Sequence, residues 1–179
     1  MALINLPSAA LALSLALVSV SAHAQDLTIS SGETYTNQNT MDNLGKLTNN
    51  STLDNFGTLN NINFGTLDNN VGATLTNNAV LDNNVVGTLN NNDGTLTNNG
   101  ILNLNGGGTM TVAGGVVNLA TMTNFGTFNL TGGTADATTI WNEDGTFNFS
   151  GGTLNLDTFI GDLNNTGGTL GPGHSPGTT

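Results

Sequence analysis

The chain is 179 residues long, enough for one domain or one elongated repeat array. Gly, Asn and Thr make up nearly half of it and charged residues only 7%, a composition unlike that of an ordinary cytosolic enzyme. The sole cation, Lys46, stands against 12 acidic residues. The resulting net charge of -11 excludes nucleic acid and anionic lipid as partners, and the absence of cysteine excludes disulfides and thiolate metal sites.

The first segment, residues 1–24, is predicted to be a signal peptide. An apolar run at 11–20 is followed by the small residues Ala22 and Ala24, which fit cleavage before Gln25. The run is shorter than the roughly 20 residues that a membrane-spanning helix needs. We therefore expect a mature chain of residues 25–179, without a transmembrane segment, that is exported.

From Met41 onward, a unit of the form apolar-x-Asn recurs every six to eight residues. Gly-Thr precedes the apolar residue in four of the nine units, as in Gly57-Thr58-Leu59. Thr suits a pleated strand, whereas Gly and Asn suit corners that need positive φ, so each unit predicts a short strand between two turns. Helix is excluded because Gly or paired Asn interrupts every stretch of this region and no 3.6-residue apolar period is present. The units begin at Met41, Leu47, Leu53, Leu59, Leu67, Leu75, Leu81, Leu89 and Leu96.

A unit of this length cannot bury its single Leu alone, which predicts a β-solenoid of stacked parallel coils. The Asp residues that follow the apolar positions indicate how many units form one coil. With two units per coil, Asp42, Asp54, Asp68 and Asp82 would stack about 4.8 Å apart, and like charges so close are destabilising. With three units no Asp lies over another. We therefore predict three short strands per coil of about 20 residues, and seven or eight coils.

The Asn at the third position of each unit should then stack as well. Such ladders of side-chain amides explain an Asn-rich chain in structural terms. The alternative is a prion-like aggregating tract, because Asn ladders also stabilise amyloid, but the regular Leu and Gly-Thr positions favour a defined coil.

After Leu102 the pattern changes to longer alternating strands that are separated by glycine pairs, such as Gly132-Gly133 and Gly151-Gly152. Two apolar residues flank one polar residue in each strand, as in Phe147-Asn148-Phe149, and five of the seven Phe residues lie beyond position 120. The interior is therefore predicted to be wider and more apolar here. We interpret residues 25–179 as a single solenoid, with Asn-rich coils at 41–101 and Gly-Gly/Phe-rich coils at 102–170.

The second half resembles bacterial autotransporter passenger domains. The strings GTFNLTGGT at 126–134 and GGTLNL at 151–156 look like the autotransporter-associated β-strand repeat, and GTLGPGHSPGT at 168–178 is similar to the passenger-associated transport repeat. The resemblance covers residues 102–179 and extends to the first half only through composition and period. It implies a right-handed parallel β-helix, exported to the cell surface, that often acts in adhesion. The resemblance also implies an outer-membrane translocator after the passenger; since residues 1–179 contain none, we expect the sequence to be either a fragment that lacks it or a stand-alone secreted relative.

The candidate contact residues are Trp141, Glu143 and Asp144, which combine the only Trp with two carboxylates. Such a group could stack on a sugar ring and accept hydrogen bonds from its hydroxyls, although Asp144-Gly145 also fits a plain turn. Two functions remain open. The first is a non-enzymatic module for adhesion to a host surface, a glycan or sister cells, with no cofactor. The alternative is a polysaccharide-active lyase or hydrolase that uses these three residues, together with Lys46 or a metal in a groove.

Other motifs are interpreted as structural. Gly173 to Gly177 satisfies the G-x-S-x-G pattern of hydrolases, but His174 lies inside the motif and no partner residues follow it, so we predict a Pro-Gly turn. No calcium-loop motif is present, and the signal for zinc is weaker still, because the predicted mature chain has one His and no Cys. Three Thr-x-Thr pairs could suggest an ice-binding face, but they do not recur at the coil period. These pairs are Thr34/Thr36, Thr109/Thr111 and Thr121/Thr123.

Overall fold

A computed structural model describes residues 22–24, 26–84 and 86–173 of the chain. The described residues form twenty β-strands and no helix, and every strand pair is parallel. The strands stack in about seven coils, which confirms the predicted β-solenoid. In this part of the chain no helix is long and apolar enough to cross a membrane.

Each coil has three sides, as the spacing of the Asp residues predicts. Face 1 consists of β2 (Leu27–Ile29), β5 (Lys46–Asn49), β8 (Thr66–Asn69), β11 (Thr88–Asn91), β13 (Thr109–Val112), β15 (Thr127–Leu130), β17 (Thr146–Phe149) and β19 (Asn164–Asn165). Face 2 begins with β3 (Thr34–Asn37), β6 (Thr52–Asn55) and β9 (Thr74–Asn77). Face 3 begins with β1 (Ala22–Ala24), β4 (Thr40–Asn43), β7 (Thr58–Asn61) and β10 (Val80–Asn83).

In the second half, single long strands run across faces 2 and 3. These strands are β12 (Thr95–Leu104), β14 (Val116–Asn124), β16 (Thr134–Asn142) and β18 (Thr153–Gly161), and β20 (Thr169–Pro172) pairs with the first part of β18 on face 2. Coil length varies along the chain. Leu81 lies 22 residues after its partner Leu59, whereas Ile140 lies 18 residues after its partner Met122.

The interior of the first half alternates Leu with Asn. In a typical strand such as β7, Leu59 and Asn61 are fully buried and the residues before them are partly exposed. The buried Asn residues form three ladders in which the Nδ2 amide of one coil donates to the Oδ1 of the next at 2.7 or 2.8 Å. The ladders run through Asn37, Asn55, Asn77 and Asn98 on face 2, through Asn43, Asn61 and Asn83 on face 3, and through Asn49, Asn69 and Asn91 on face 1.

The same amides also join the ladders to the backbone of the next corner. Asn61 Nδ2, for example, donates to the carbonyl of Thr88 at 2.8 Å in the following coil. These bonds satisfy polar groups that would otherwise be buried without partners. Of the buried side-chain atoms in the described ranges, Asn43 Oδ1, at the first position of its ladder, lacks a partner.

The outward Asp residues confirm the charge argument. Asp42 pairs with Asn60 and Asp82 with Asn103, so an amide separates the carboxylates of face 3. Asn60 donates to Asp42 at 2.8 Å and Asn103 donates to Asp82 at 2.7 Å. Each carboxylate therefore gains a hydrogen bond from the neighbouring coil instead of repulsion from a like charge.

Beyond Asn98 the core becomes more apolar, as predicted. Leu104, Val112 and Leu119 take the buried positions that Asn held in the preceding coils. Phe128 and Phe147 stack inside face 1 with ring centroids 4.6 Å apart. The wider side chains fill the interior where the ladders of faces 1 and 2 end, while face 3 keeps a ladder step from Asn124 to Asn142.

Candidate ligand-binding site

The outward surface of face 3 changes character along the rod. In its first coils the middle outward position holds Asp42, Asn60, Asp82 and Asn103, which are short polar residues joined by hydrogen bonds. The next three residues in the same column are Thr123, Trp141 and Ile160. The polar row therefore gives way to larger apolar side chains at the sixth coil.

A surface pocket of about 220 Å³ lies where this change occurs, lined by Thr121, Thr123, Phe125, Trp141 and Glu143. Ligand pockets for drug-sized molecules usually enclose about 300 to 1,000 Å³. This cavity is smaller, so it suits a single ring or head group. Two aromatic rings, two hydroxyls and one carboxylate supply its chemistry.

Strand register brings these residues together. Thr123 of β14 pairs directly with Trp141 of β16, about 4.8 Å away in the next coil. The amide of Asn124 donates to Asn142 Oδ1 at 2.6 Å, which fixes the corner in both coils. Phe125 and Glu143 directly follow those two Asn residues and therefore leave the corner side by side.

Both aromatic side chains of the pocket are half exposed. Phe125 retains 46% and Trp141 43% of its accessible surface. The aromatic ring contacts of the described chain are instead made in and beside the core, by Phe128, Phe147 and Phe159. Trp141 and Phe125 therefore line the pocket with part of their surface accessible to a ligand.

The structure brings together two of the three predicted contact residues. Trp141 and Glu143 line the pocket, whereas Asp144 is exposed beside it and does not line it. Lys46, which the enzyme hypothesis named as an alternative to a metal in the same groove, lies on face 1 and its Nζ forms an ion pair with Asp68 Oδ2 at 3.1 Å. The pocket thus contains one carboxylate and no cation.

The described residues contain no metal site beside this pocket. Within 26–84 and 86–173, no three His, Asp or Glu side chains form a cluster that could hold a metal ion. His174 and Ser175 of the G-x-S-x-G pattern lie outside the described residues, as do residues 1–21 of the predicted signal peptide. Cleavage before Gln25 stays a prediction.

The three Thr-x-Thr pairs named above lie on three different faces: Thr34/Thr36 on face 2, Thr109/Thr111 on face 1 and Thr121/Thr123 on face 3. They form no common array, but Thr74/Thr76 and Thr95/Thr97, two further pairs of this form, do stack in register on face 2. Thr121 and Thr123 belong to the pocket instead.

Phe125 is the pocket residue that the sequence analysis missed. A signal was present, because Asn124-Phe125-Gly126 repeats the Asn-Phe-Gly corner found at 55–57 and 63–65. In all three corners the Phe is more than 40% exposed. An aromatic residue between Asn and Gly therefore marks an outward corner position here.

No family model, curated protein or solved structure matches this chain.

Proposed function

We propose that this protein is a non-enzymatic contact module, a secreted or surface-exposed β-helix of the autotransporter-passenger type. The observation that carries the proposal is the pocket around Trp141, an aromatic-lined depression on the side of a rigid rod. The predicted signal peptide and the resemblance of residues 126–178 to passenger repeats support export.

A contact role is favoured over turnover by the charges near the pocket. Glycoside hydrolysis needs two carboxylates on opposite sides of the scissile bond, about 5 to 9.5 Å apart. Of the two neighbouring carboxylates, Glu143 lines the pocket and Asp144 does not. Lys46, the residue that could balance an anionic polymer, is held on another face by Asp68.

The rod geometry suits adhesion. Parallel coils joined by continuous hydrogen bonds hold the pocket at a fixed position along the rod. Many copies displayed on one surface would bind by multivalency, so a weak contact at each pocket suffices for firm attachment.

The test uses the full chain expressed in a bacterium with an outer membrane. N-terminal sequencing of the exported product is expected to show Gln25 as the first residue. Exported protein is then coated on beads, and bead adhesion to host cells, to immobilised glycans and to the producing bacteria is counted. Trp141→Ala is expected to lower adhesion severalfold, while Phe64→Ala, which removes an exposed Phe outside the pocket, leaves it unchanged.

Equal adhesion of the Trp141→Ala and wild-type beads would overturn the contact role of the pocket. Release of reducing or unsaturated sugars from a polysaccharide by the wild type would establish the enzyme instead, provided that Glu143→Gln abolishes it.

A further inference from the structure

We infer that the Trp141 pocket binds a methylated ammonium group, such as the head group of choline. This inference names the ligand class of the same pocket and so rests on the proposed contact function. It is carried by the aromatic walls, the single carboxylate and the charge of the whole chain.

The pocket is lined by two aromatic residues, Phe125 and Trp141, whose rings attract cations. A cation over the face of an aromatic ring is attracted by the ring quadrupole, most strongly by Trp. Trp141 and Phe125 lie in consecutive coils and are offset by about two residues along the strand, which separates diagonal neighbours by roughly 7 to 8 Å. A compact head group fits between side chains so separated.

Charge selects the sign of the ligand. Glu143 is the only ionisable side chain that lines the pocket, and Asp144 adds a second negative charge beside it. The net charge of the chain is -11, and Lys46 is already paired with Asp68 on face 1. Anionic ligands are repelled, whereas a cation is attracted both over long range and at the site.

Hydrogen-bonding capacity selects a methylated ammonium over a primary amine or a sugar. A primary ammonium carries three donors that need acceptors, and a pyranose carries hydroxyls around its whole rim. The pocket offers one carboxylate and the hydroxyls of Thr121 and Thr123, and its other two lining residues are the aromatic Phe125 and Trp141. A quaternary ammonium donates no hydrogen bond, so it can contact both rings without placing a donor against a surface that cannot accept it.

Trp141 is the only Trp of the chain and therefore reports on its own pocket. The full chain is titrated with choline chloride at constant ionic strength while Trp fluorescence is recorded. The matched ligand is the neutral isostere of choline, in which carbon replaces the charged nitrogen. We expect saturable quenching by choline in the millimolar range and at least about tenfold weaker binding of the isostere, because two cation–π contacts and one carboxylate contact are lost.

Variants assign the binding to the pocket. Phe125→Leu is expected to weaken choline binding about two- to fivefold, since it removes one ring and keeps the apolar volume. Glu143→Gln is expected to weaken it by a similar factor that shrinks as salt is added. The control is Asp144→Asn, which removes the adjacent exposed carboxylate that does not line the pocket and should change affinity less than twofold. Far-ultraviolet circular dichroism confirms that each variant keeps its β-spectrum.

Two outcomes overturn the inference, and a third separates it from the contact function. Equal binding of choline and its isostere would show that charge is not recognised. Tighter binding of butylammonium or of a methyl glycoside than of choline would assign the pocket to a primary amine or a sugar, and would leave the contact function standing. Choline binding together with unchanged adhesion of Trp141→Ala beads would support the ligand and refute the contact function.

Discussion

Asn61 and Asn83 occupy the same buried position in consecutive coils, and the Nδ2 amide of Asn61 donates to Asn83 Oδ1 at 2.8 Å. A second bond from the same amide reaches the carbonyl of Thr88. One side chain thus joins its own coil both to a strand residue of the next coil and to the corner that follows that strand. This relationship explains how a chain with half-polar strands keeps a closed interior.

The ladder predicts a large cost for an apolar substitution at Asn61. Asn61→Leu should fit sterically, because Leu104 occupies the equivalent position beyond Asn83. It leaves Asn83 Oδ1 and the carbonyl of Thr88 without that donor, and buried groups without partners cost about 1 to 3 kcal/mol each. We expect the free energy of unfolding, measured by urea denaturation, to fall by about 2 to 3 kcal/mol.

Two matched variants frame that result. Thr58→Val changes an outward residue of the same strand, and Val80 holds the equivalent position in the next coil, so it should cost less than about 0.5 kcal/mol. Asn43→Leu removes an amide whose Oδ1 is already unsatisfied, so it should cost about 1 kcal/mol less than Asn61→Leu. If Asn61→Leu were as harmless as Thr58→Val, the ladder would contribute no net stability.

Two glycines of one corner, Gly106 and Gly108, test how closely the coils pack. A Cβ added at Gly108 would overlap the backbone oxygen of Asn83 in the preceding coil, whereas one added at Gly106 would come no nearer than 4.0 Å to the Phe125 carbonyl oxygen. Gly108→Ala should therefore force the coils apart and lower the unfolding free energy by more than about 2 kcal/mol. Gly106→Ala should raise it by about 0.4 to 1 kcal/mol, through a less flexible unfolded chain. Similar thermal midpoints for the two variants would contradict this packing.

Much of the fold could be predicted because the signals are local and repeated. The Asn at each third position was enough to predict the ladders. The Asp residues beside those positions were enough to predict three strands per coil, since three units per coil keep Asp54 from stacking on Asp42. The long strands that cross faces 2 and 3, such as β14, match the longer alternating strands that the sequence predicts after Leu102.

The pocket could not be predicted completely, because it depends on register between coils of unequal length. Trp141 lies over Thr123 only because this coil has 18 residues, whereas the coil from Leu59 to Leu81 has 22. An error of one residue in coil length would turn the Trp inward. Phe125 and Glu143 come to line one pocket through the same register, which the sequence spacing did not indicate.

Strain at one corner predicts a stabilising substitution. Phe64 has φ 69° and is 79% exposed, and the equivalent corner positions hold Val86 at φ 55° and Gly107 at φ 83°. A left-handed backbone costs a residue with a Cβ about 1 to 2 kcal/mol, more than the flexibility of Gly costs the folded state. Phe64→Gly should therefore raise the unfolding free energy by up to about 1 kcal/mol in urea denaturation.

Phe56→Gly is the control for that substitution. Phe56 is also an exposed corner Phe, at 56%, but it does not have positive φ. Glycine there relieves no strain and should lower the unfolding free energy by about 0.5 to 1 kcal/mol. If both substitutions changed stability in the same direction, the positive φ of Phe64 would not be a source of strain.

Tyr35 predicts a loss of stability at alkaline pH. It is the only Tyr and packs partly buried against the core, and this burial raises the pKa of its phenol above the ordinary 10.0 because the phenolate is poorly solvated there. The folded state then holds the phenolic proton more tightly than the unfolded state does. The contribution is fully present below pH 10.0 and is lost as pH rises from 10.0 through the folded pKa.

Absorbance of the phenolate near 295 nm, in native protein and in urea, should show the native transition at higher pH. Urea midpoints measured about one pH unit below and above 10.0 should decline more steeply in the wild type than in Tyr35→Phe, which keeps the ring and removes the titrating hydroxyl. Because both proteins share every other ionisable group, the difference between the two declines belongs to Tyr35. Parallel declines would show that the ring is solvated in the folded protein, and the N-terminal coil around β3 would then be open.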